Sequence, residues 1–114
     1  MTITTGDKDD RIDGGAGNDT INAGGGTNLV TGGDGVDTFI FDDVFGETTI
    51  TDFVAGAGGS EVLDLSAFGF SSADEVTSLA TNYNQGVSLQ LDSDTSILLL
   101  GVTTSDLVTD DFLV

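Results

Sequence analysis

A nine-residue repeat fills the first third of the chain and constrains its fold more than any other feature. From Thr5 to Ile40 four nonapeptides follow one another without an insertion, namely TGDKDDRID, GGAGNDTIN, AGGGTNLVT and GGDGVDTFI. The sixth places hold Asp10, Asp19, Asn28 and Asp37, and the apolar eighth places hold Ile12, Ile21, Val30 and Phe39, with Ile3 in the same phase. A regular repeat of this kind predicts a solenoid, in which each unit packs against its neighbours.

The two halves of each unit predict a tight turn followed by a very short strand. Glycine allows backbone conformations that a Cβ would obstruct, and a three-residue strand places one apolar side chain inward between two outward ones. Two units then form one coil of eighteen residues, with the apolar side chains between two thin parallel sheets. Because turns eighteen residues apart stack on the same edge, Asp10 pairs with Asn28 and Asp19 with Asp37.

Stacked carboxylates repel one another unless positive charge lies between them, and the composition points to the same need. The 114 residues include 20 Asp plus Glu but only 2 Lys plus Arg, for a formal net charge of -18. Irregular rings of carbonyl and carboxylate oxygens suit Ca²⁺ better than Mg²⁺, which demands octahedral geometry. Calcium ions are therefore the expected partner and cofactor, whereas nucleic acid would be repelled.

The residue types that the chain lacks exclude most catalytic chemistry. Without His or Cys there is no imidazole base, thiol nucleophile or zinc ligand set. Hydrolysis by paired carboxylates remains an alternative, but the repeat accounts for the Asp positions, so we expect no enzyme activity. The longest Leu/Ile/Val run, Ile97 to Leu100, is far shorter than the roughly 20 residues of a membrane span, so we expect no membrane insertion.

The four units resemble the G-G-x-G-x-D-x-U-x repeat of RTX proteins, the haemolysin-type calcium-binding β-roll. The resemblance implies that each ion is held by two turns on one edge. One turn contributes its sixth-place side chain with its second and fourth carbonyls, and the next contributes its sixth-place side chain with its first and third carbonyls. The first implied site consists of Gly15, Gly17, Asp19, Gly32, Asp34 and Asp37. The second consists of Gly6, Lys8, Asp10, Ala23, Gly25 and Asn28.

Two of the implied sites depart from the simple pattern. We expect the second site to be weaker, because Asn28 replaces an Asp and Lys8 replaces a Gly. By family analogy, Asp52 and Glu61 complete a third site with Gly33 and Gly35, the alternative being a solvated turn. These predictions complete the set of calcium ligands; no other cofactor site is expected.

After Phe41 the sequence changes from glycine-rich turns to β-forming segments. The predicted strands are Asp37–Phe41, Thr48–Phe53, Glu61–Ser66, Val87–Leu91 and Ser96–Val102. Ser72 to Ala80 predicts a helix with Ser72 as N-cap and Glu75 completing a capping box, and 82–86 and 92–96 predict turns. Asp92 opens like an EF-hand loop, but Ile97 and Thr103 stand where Gly and Glu are required, which favours a hairpin turn.

The expected fold class is therefore all-β, a short parallel β-roll capped by an antiparallel β block with one short helix. Residues 1–41 are predicted to form the roll and residues 42–114 the cap, as one continuous folding unit. A cap is needed because the last coil of a solenoid would otherwise expose an unpaired edge.

The resemblance extends into the second part of the chain. Gly35 to Phe41, Thr49 to Phe53 and Glu61 to Ser66 look like the segments after the last repeat in serralysin-type and related type I secretion target domains. The end, DDFLV from Asp110 to Val114, is similar to the acidic-then-apolar terminus that such domains present to their export machinery. The bland alternative for this tail is a last strand or a frayed end.

Together these features predict a calcium-binding C-terminal domain that folds outside the cell and carries a type I secretion signal. The implied partners are the type I secretion machinery and a passenger domain N-terminal to this segment, and the implied location is extracellular. The alternative is a polysaccharide- or surface-binding β-roll module of an extracellular enzyme or adhesin. Glycan sites usually carry aromatic or basic residues, and this chain offers only Tyr83, Lys8 and Arg11 outside its phenylalanines.

Overall fold

Short strands with one or more inward apolar residues stack into two sheets in the computed structural model of the protein, which describes residues 2–6, 8–42, 46–54 and 61–114. In chain order these strands are β1 (Thr2–Thr4), β2 (Arg11–Asp13), β3 (Thr20–Asn22), β4 (Gly26–Thr31), β5 (Thr38–Ile40), β6 (Gly46–Ile50), β7 (Val62–Asp64), β8 (Ala80–Tyr83), β9 (Gly86–Gln90), β10 (Thr95–Leu100) and β11 (Phe112–Leu113). One helix, α1 (Ala73–Thr77), and 3₁₀ turns at Ser66–Phe68, Thr104–Asp106 and Thr109–Asp111 lie between the later strands.

The strand register shows the coil of eighteen residues that the repeat predicts. One sheet has the order β1-β3-β5-β7-β11 and the other β2-β4-β6-β10-β9-β8. In the first sheet Ile21 pairs in parallel with Ile3 on one side and with Phe39 on the other, and in the second Ile12 pairs with Val30. The predicted all-β class with a parallel roll is confirmed.

Parallel stacking continues beyond the repeat. β5 pairs in parallel with β7, and β7 with β11, so that Phe39, Leu63 and Phe112 lie in one row. In the other sheet β4 pairs in parallel with β6, and β6 with β10. Antiparallel pairing is confined, among the described strands, to β10-β9-β8 at the far edge of the second sheet. The parallel roll therefore continues beyond the repeat by two strands in each sheet, and the antiparallel block extends the second sheet.

The core lies between the two sheets and is built from the inward side chains of both. Phe39 is 2% exposed and Ile50, Leu63 and Leu99 are fully buried. Phe53 packs near Phe39, with ring centroids 6.1 Å apart. α1 covers the end of this core with Val76, which is also fully buried. At about 25 cal/mol per Å² of apolar surface removed from water, these rows supply the main force that holds the sheets together.

The second part of the chain differs from the sequence prediction at its helix. α1 spans five residues rather than nine, because Ala80 begins β8, which pairs antiparallel with β9. Ser72 is the N-cap, as predicted, and its side chain accepts a hydrogen bond from Glu75 N–H. The Glu75 side chain accepts from Ser71 Oγ, so the predicted reciprocal half of the capping box is replaced by this contact. None of the helices within the described residues is long and apolar enough to cross a membrane.

The segment that opens like an EF-hand is a hairpin turn, as predicted. Asp92 and Asp94 lie between β9 and β10, whose antiparallel register joins Gln90 to Ser96. The N–H of Asp94 donates to Asp92 Oδ1 at 2.8 Å, a local side-chain bond that stabilises such turns.

Candidate metal centre

The sixth-place residues Asp19 and Asp37 stack on one edge of the roll. The N–H of Asp19 donates to Asp37 Oδ1 at 2.8 Å, although the two residues are eighteen positions apart. Both side chains are withdrawn from solvent, with 2% of Asp19 and 0% of Asp37 exposed. The predicted pairing of these two residues is therefore present, and it places two acidic side chains in a buried environment.

The glycines of the two turns allow their backbones to stack closely. Gly33 and Gly35, in the second and fourth places, have φ values of +93° and +104°, which residues with a Cβ rarely adopt. A Cβ on Gly33 would meet the carbonyl oxygen of Gly15, and one on Gly35 would meet that of Gly17. The carbonyls that the resemblance assigns to the first ion thus lie against the next turn on the same edge.

The Asp37 carboxylate leaves one oxygen in need of a partner. Its Oδ1 accepts from Asp19 N–H, whereas its Oδ2 is buried and accepts no hydrogen bond from the described residues. A Cβ on Gly32 would contact this oxygen. Burying a charged oxygen without compensation is costly, and a hard divalent cation removes that cost. The donor set of carboxylate and carbonyl oxygens at this edge therefore fits Ca²⁺.

The implied ligands are a mixed set rather than a cluster of acids. Within the described residues no three acidic side chains come together in a group that could hold a metal. The first implied site does not require one, since it combines two carboxylates with four backbone carbonyls. Asp34 enters that set through its backbone, which forms a parallel bridge to Ala16 of the turn below.

The opposite edge carries Asp10 and Asn28, and its geometry differs. The N–H of Asp10 donates to Asn28 Oδ1 at 2.9 Å, which matches the bond between Asp19 and Asp37. The Asn28 amide in turn donates to the carbonyl oxygens of Ala23, Gly24 and Gly25 at 3.2, 3.3 and 3.1 Å. The structure brings five of the six residues of the second implied site together, since the carbonyl oxygen of Gly6 lies against Gly24 of the next turn, and the carbonyls of Ala23 and Gly25 bind the amide group.

Gly6 and Lys8 of that site belong to a turn whose backbone conformation differs from that of the later turns. In the later units the second- and fourth-place glycines have positive φ, as at Gly24 and Gly26. Among the described residues of the first unit, neither Gly6 nor Lys8 adopts such a conformation. Lys8 is exposed. The first turn therefore differs from the other three in backbone conformation, although its Gly6 carbonyl lies against Gly24 as the Gly15 carbonyl lies against Gly33.

Asp52 lies above the turn that contains Gly33. Its two carboxylate oxygens accept from the N–H groups of Gly32 and Gly33, each at 2.9 Å. Asp52 is thus brought to the expected turn, but it contacts the N–H groups of that turn. Its coordination of an ion with Gly33 and Gly35 stays a prediction.

Glu61 is a buried acid that occupies a sixth-place position of the next coil. It precedes β7 as Asp37 precedes β5, and Thr38 pairs with Val62 in the parallel register. Burial raises the pKa of Glu61 from 4.5 to about 8, against a hydrogen bond from Val54 N–H that lowers it. A hydrogen bond between the carboxyl groups of Glu61 and Asp37, and the charges of Asp52 and Asp37, also raise this pKa. Three acidic side chains therefore follow one another along this edge, at Asp19, Asp37 and Glu61.

The sequence predicts that Glu61 lies near a calcium site. It does not predict that Glu61 extends the row of acidic side chains formed by Asp19 and Asp37. The step from Asp37 to Glu61 is 24 residues rather than eighteen, and part of the insertion, 55–60, lies outside the described residues. On the other edge Asn28 pairs with Thr48, a step of twenty. The available signal was an acid directly before an apolar strand, as in Glu61-Val62-Leu63.

Comparison with known proteins identifies the repeat. The chain contains four copies of the RTX calcium-binding nonapeptide repeat over residues 3–39, and such repeats bind Ca²⁺. A search of curated proteins gives no match. The fold is similar to the solution structure of the AlgE6R3 subunit from the Azotobacter vinelandii mannuronan C5-epimerase, with a TM-score of 0.61 and 24% sequence identity over 94% of this chain and 78% of that one. At this identity the likeness shows the fold alone, and it supports the β-roll architecture.

Proposed function

We propose that this chain is a domain whose folding depends on calcium and which serves the export of a larger protein. The observation that carries the proposal is the stacked pair Asp19 and Asp37, buried in a turn whose Asp37 Oδ2 accepts no hydrogen bond from the described residues. Ca²⁺ supplies two positive charges and accepts six to eight oxygen ligands. The residues that would hold it at this edge are Gly15, Gly17, Asp19, Gly32, Asp34 and Asp37.

The same edge supports a further ion above the first. Asp52 and Glu61 lie beside Asp37. A cation between these side chains would stabilise the negative charge of their carboxyl groups. Asp52, Glu61, Gly33 and Gly35 are the residues proposed to hold this ion. Because a bound cation favours the ionised form of a carboxyl group, its binding would release the proton that burial keeps on Glu61.

Calcium binding of this kind becomes folding free energy. The sites require stacked turns, so they exist in the coiled chain and not in the unfolded one. A site that binds only the folded state adds about 2.7 kcal/mol at a free calcium concentration 100 times its Kd. The formal charge of -18 opposes compaction in the absence of ions. The chain would stay loose where calcium is scarce and fold where it is abundant.

This dependence suits export through a channel. An unfolded chain passes, and folding on the calcium-rich outer side prevents its return. The terminal strand supports a role in recognition, since Phe112 is buried while Leu113 and Val114 are 52% and 43% exposed. The exposed apolar end after 109–111 would be read by type I secretion machinery, with the passenger N-terminal to this segment.

Export is tested with a fused passenger in a cell that contains a type I exporter. Deletion of Phe112 to Val114 is expected to abolish the appearance of the passenger in the medium while its synthesis continues. Deletion of residues 2–4, also three residues, serves as a control because it removes the short strand β1 at the other end of the same sheet. Equal secretion with and without the C-terminal residues would remove the export part of the proposal.

A second candidate function is binding of a polysaccharide or cell surface. It is favoured by the fold likeness to a subunit of an epimerase that acts on mannuronan and by a cleft of about 300 Å³ beside the β8-β9 hairpin. The cleft is lined by Asn82, Tyr83, Asn84, Gln85, Gly86, Gly101, Val102 and Thr103, a combination of amide groups and one aromatic ring.

Glycan-array binding of the calcium-loaded domain discriminates between the two functions. Binding that is lost in Tyr83→Ala but retained in a variant of the exposed Asn18 on the roll would support the second function. Absence of any bound glycan, together with passenger export, would support the first.

A further inference from the structure

We infer that the side-chain amide of Asn28 takes the place of a calcium ion on the second edge of the roll. The inference rests on the proposed function, because it assigns ions to one edge and withholds an ion from the other. It makes the two edges unequal: the Asp19 and Asp37 edge depends on calcium, whereas the Asp10 and Asn28 edge closes through hydrogen bonds of the chain itself.

The Asn28 amide fulfils both requirements of its position. Its Oδ1 accepts from Asp10 N–H at 2.9 Å, the bond that an Asp would also form. Its Nδ2 donates to the carbonyls of Ala23, Gly24 and Gly25 within 3.3 Å. The partners fix the orientation of the amide, since an N–H faces one end and three acceptors face the other. Asn28 is 2% exposed, so water does not compete for these bonds.

The Ala23 carbonyl is already saturated. A carbonyl oxygen has two lone pairs, and that of Ala23 accepts from both Asn28 Nδ2 at 3.2 Å and Thr5 Oγ1 at 2.7 Å. Ala23 and Gly25 hold the first and third places of their unit, the two carbonyls that the RTX resemblance assigns to an ion. Both are hydrogen-bonded to the amide, which therefore lies where the ion's ligands converge.

The first edge shows what an Asp does at the same position. Asp37 has an oxygen, Oδ2, where Asn28 has an NH₂ group, and this oxygen is buried and accepts no hydrogen bond from the described residues. A negative oxygen repels the carbonyls of its own turn, whereas an NH₂ group binds them. The exchange of one atom thus converts a turn that requires a cation into one that does not.

The experiment counts the calcium bound per chain at saturating Ca²⁺, by native mass spectrometry, for the wild type, Asn28→Asp and Asp37→Asn. We expect Asn28→Asp to bind one ion more than the wild type, because it places a carboxylate against the carbonyls of Ala23 and Gly25 and beside the buried Oδ2 of Asp10. We expect Asp37→Asn to bind at least one ion fewer.

A second measurement addresses the wild type directly, in case a variant does not fold. Hydrogen exchange of the side-chain amides is followed by NMR in the calcium-loaded protein. The Asn28 NH₂ group is expected to exchange at least about tenfold more slowly than that of the exposed Asn84, since it donates to three buried or partly buried acceptors. Exchange as fast as that of Asn84 would overturn the inference.

The failures of the two ideas are distinguishable. An ion count unchanged by Asn28→Asp, beside a count lowered by Asp37→Asn, overturns the inference and leaves the calcium function in place. A wild-type chain that binds no calcium overturns the proposed function and, with it, the contrast between the edges.

Discussion

The backbone N–H of Asp19 donates to the carboxylate of Asp37 at 2.8 Å, across one complete coil of the roll. The bond joins the sixth places of two turns on the same edge, and it leaves the second oxygen of Asp37 buried without a donor among the described residues. The same bond recurs on the other edge between Asp10 and Asn28, where an amide completes the turn. This pair of relationships is the basis of our proposal that one repeat produces a calcium-dependent edge and an edge closed by its own hydrogen bonds.

Close stacking of the turns predicts that Gly33→Ala is strongly destabilising. A Cβ at Gly33 would meet the backbone carbonyl of Gly15 and would require a φ near +93°. The conformation alone costs roughly 1–2 kcal/mol for a residue with a Cβ, and the backbone contact adds to it. Thermal unfolding in saturating Ca²⁺ measures the loss, which we expect to exceed about 2 kcal/mol.

Gly6→Ala is the matched control for this substitution. A Cβ at Gly6 has open space, with nothing within 4 Å, and its φ is not in the positive region. We expect a change within about 0.5 kcal/mol. If both variants unfolded at the same temperature, the tight stacking of the second-place glycine would be refuted.

The pKa of Glu61 predicts a pH dependence of the calcium-free chain. Burial and the neighbouring acids raise this pKa from 4.5 to about 8 in the folded chain, so folding favours the protonated form. The contribution to stability is complete below pH 4.5 and is lost as the pH rises through 8. The β-sheet signal that remains in EDTA, which is weak at neutral pH, should therefore be larger at pH 4.5 and decrease as the pH rises to 8, as measured by circular dichroism.

Glu61→Gln isolates this group from the other acids. Glutamine carries no titrating proton, so the variant is expected to lose less β-sheet signal across the same pH range than the wild type. Glu47→Gln removes an exposed acid and should behave as the wild type. Identical curves for the wild type and Glu61→Gln would contradict the assignment.

Substitutions at the two residues of the last strand allow its contribution to stability and its contribution to export to be measured separately. Phe112 is 5% exposed and lies in the row of Phe39 and Leu63, so Phe112→Ala is expected to cost about 3–5 kcal/mol in chemical unfolding. Leu113 is 52% exposed, and Leu113→Ser should change stability by no more than about 0.5 kcal/mol. If the exposed end is read during export, Leu113→Ser lowers secretion at unchanged stability. Secretion that follows stability in both variants would argue against a separate signal.

Much of the fold could be predicted because the repeat fixes both turn and strand. The period of nine determines the coil of eighteen, and with it the rows from Ile3 to Phe39 and from Ile12 to Val30. The same spacing of eighteen residues predicts the pairing of the sixth-place residues. These features depend on local backbone geometry and on one apolar side chain per strand, both of which the sequence displays.

The later coils could not be predicted because their steps change. Thr48 breaks the apolar phase and marks the end of the strict period, yet it pairs with Asn28 twenty residues earlier. Glu61 follows Asp37 in the row of acidic side chains on the other edge, but the step between them is 24 residues. β8 was missed because Ala80 to Tyr83 shows no apolar alternation, and its pairing with β9 depends on a partner elsewhere in the chain. Neither a loop insertion nor a tertiary partner leaves a local pattern.

The central claim, that calcium drives the folding of this chain, is tested most directly by circular dichroism during a Ca²⁺ titration of EDTA-treated protein. We predict weak β-sheet signal without calcium and a cooperative rise to the full signal as Ca²⁺ saturates the Asp19 and Asp37 edge, reversed by excess EDTA. The same β-sheet signal with and without calcium would contradict the account.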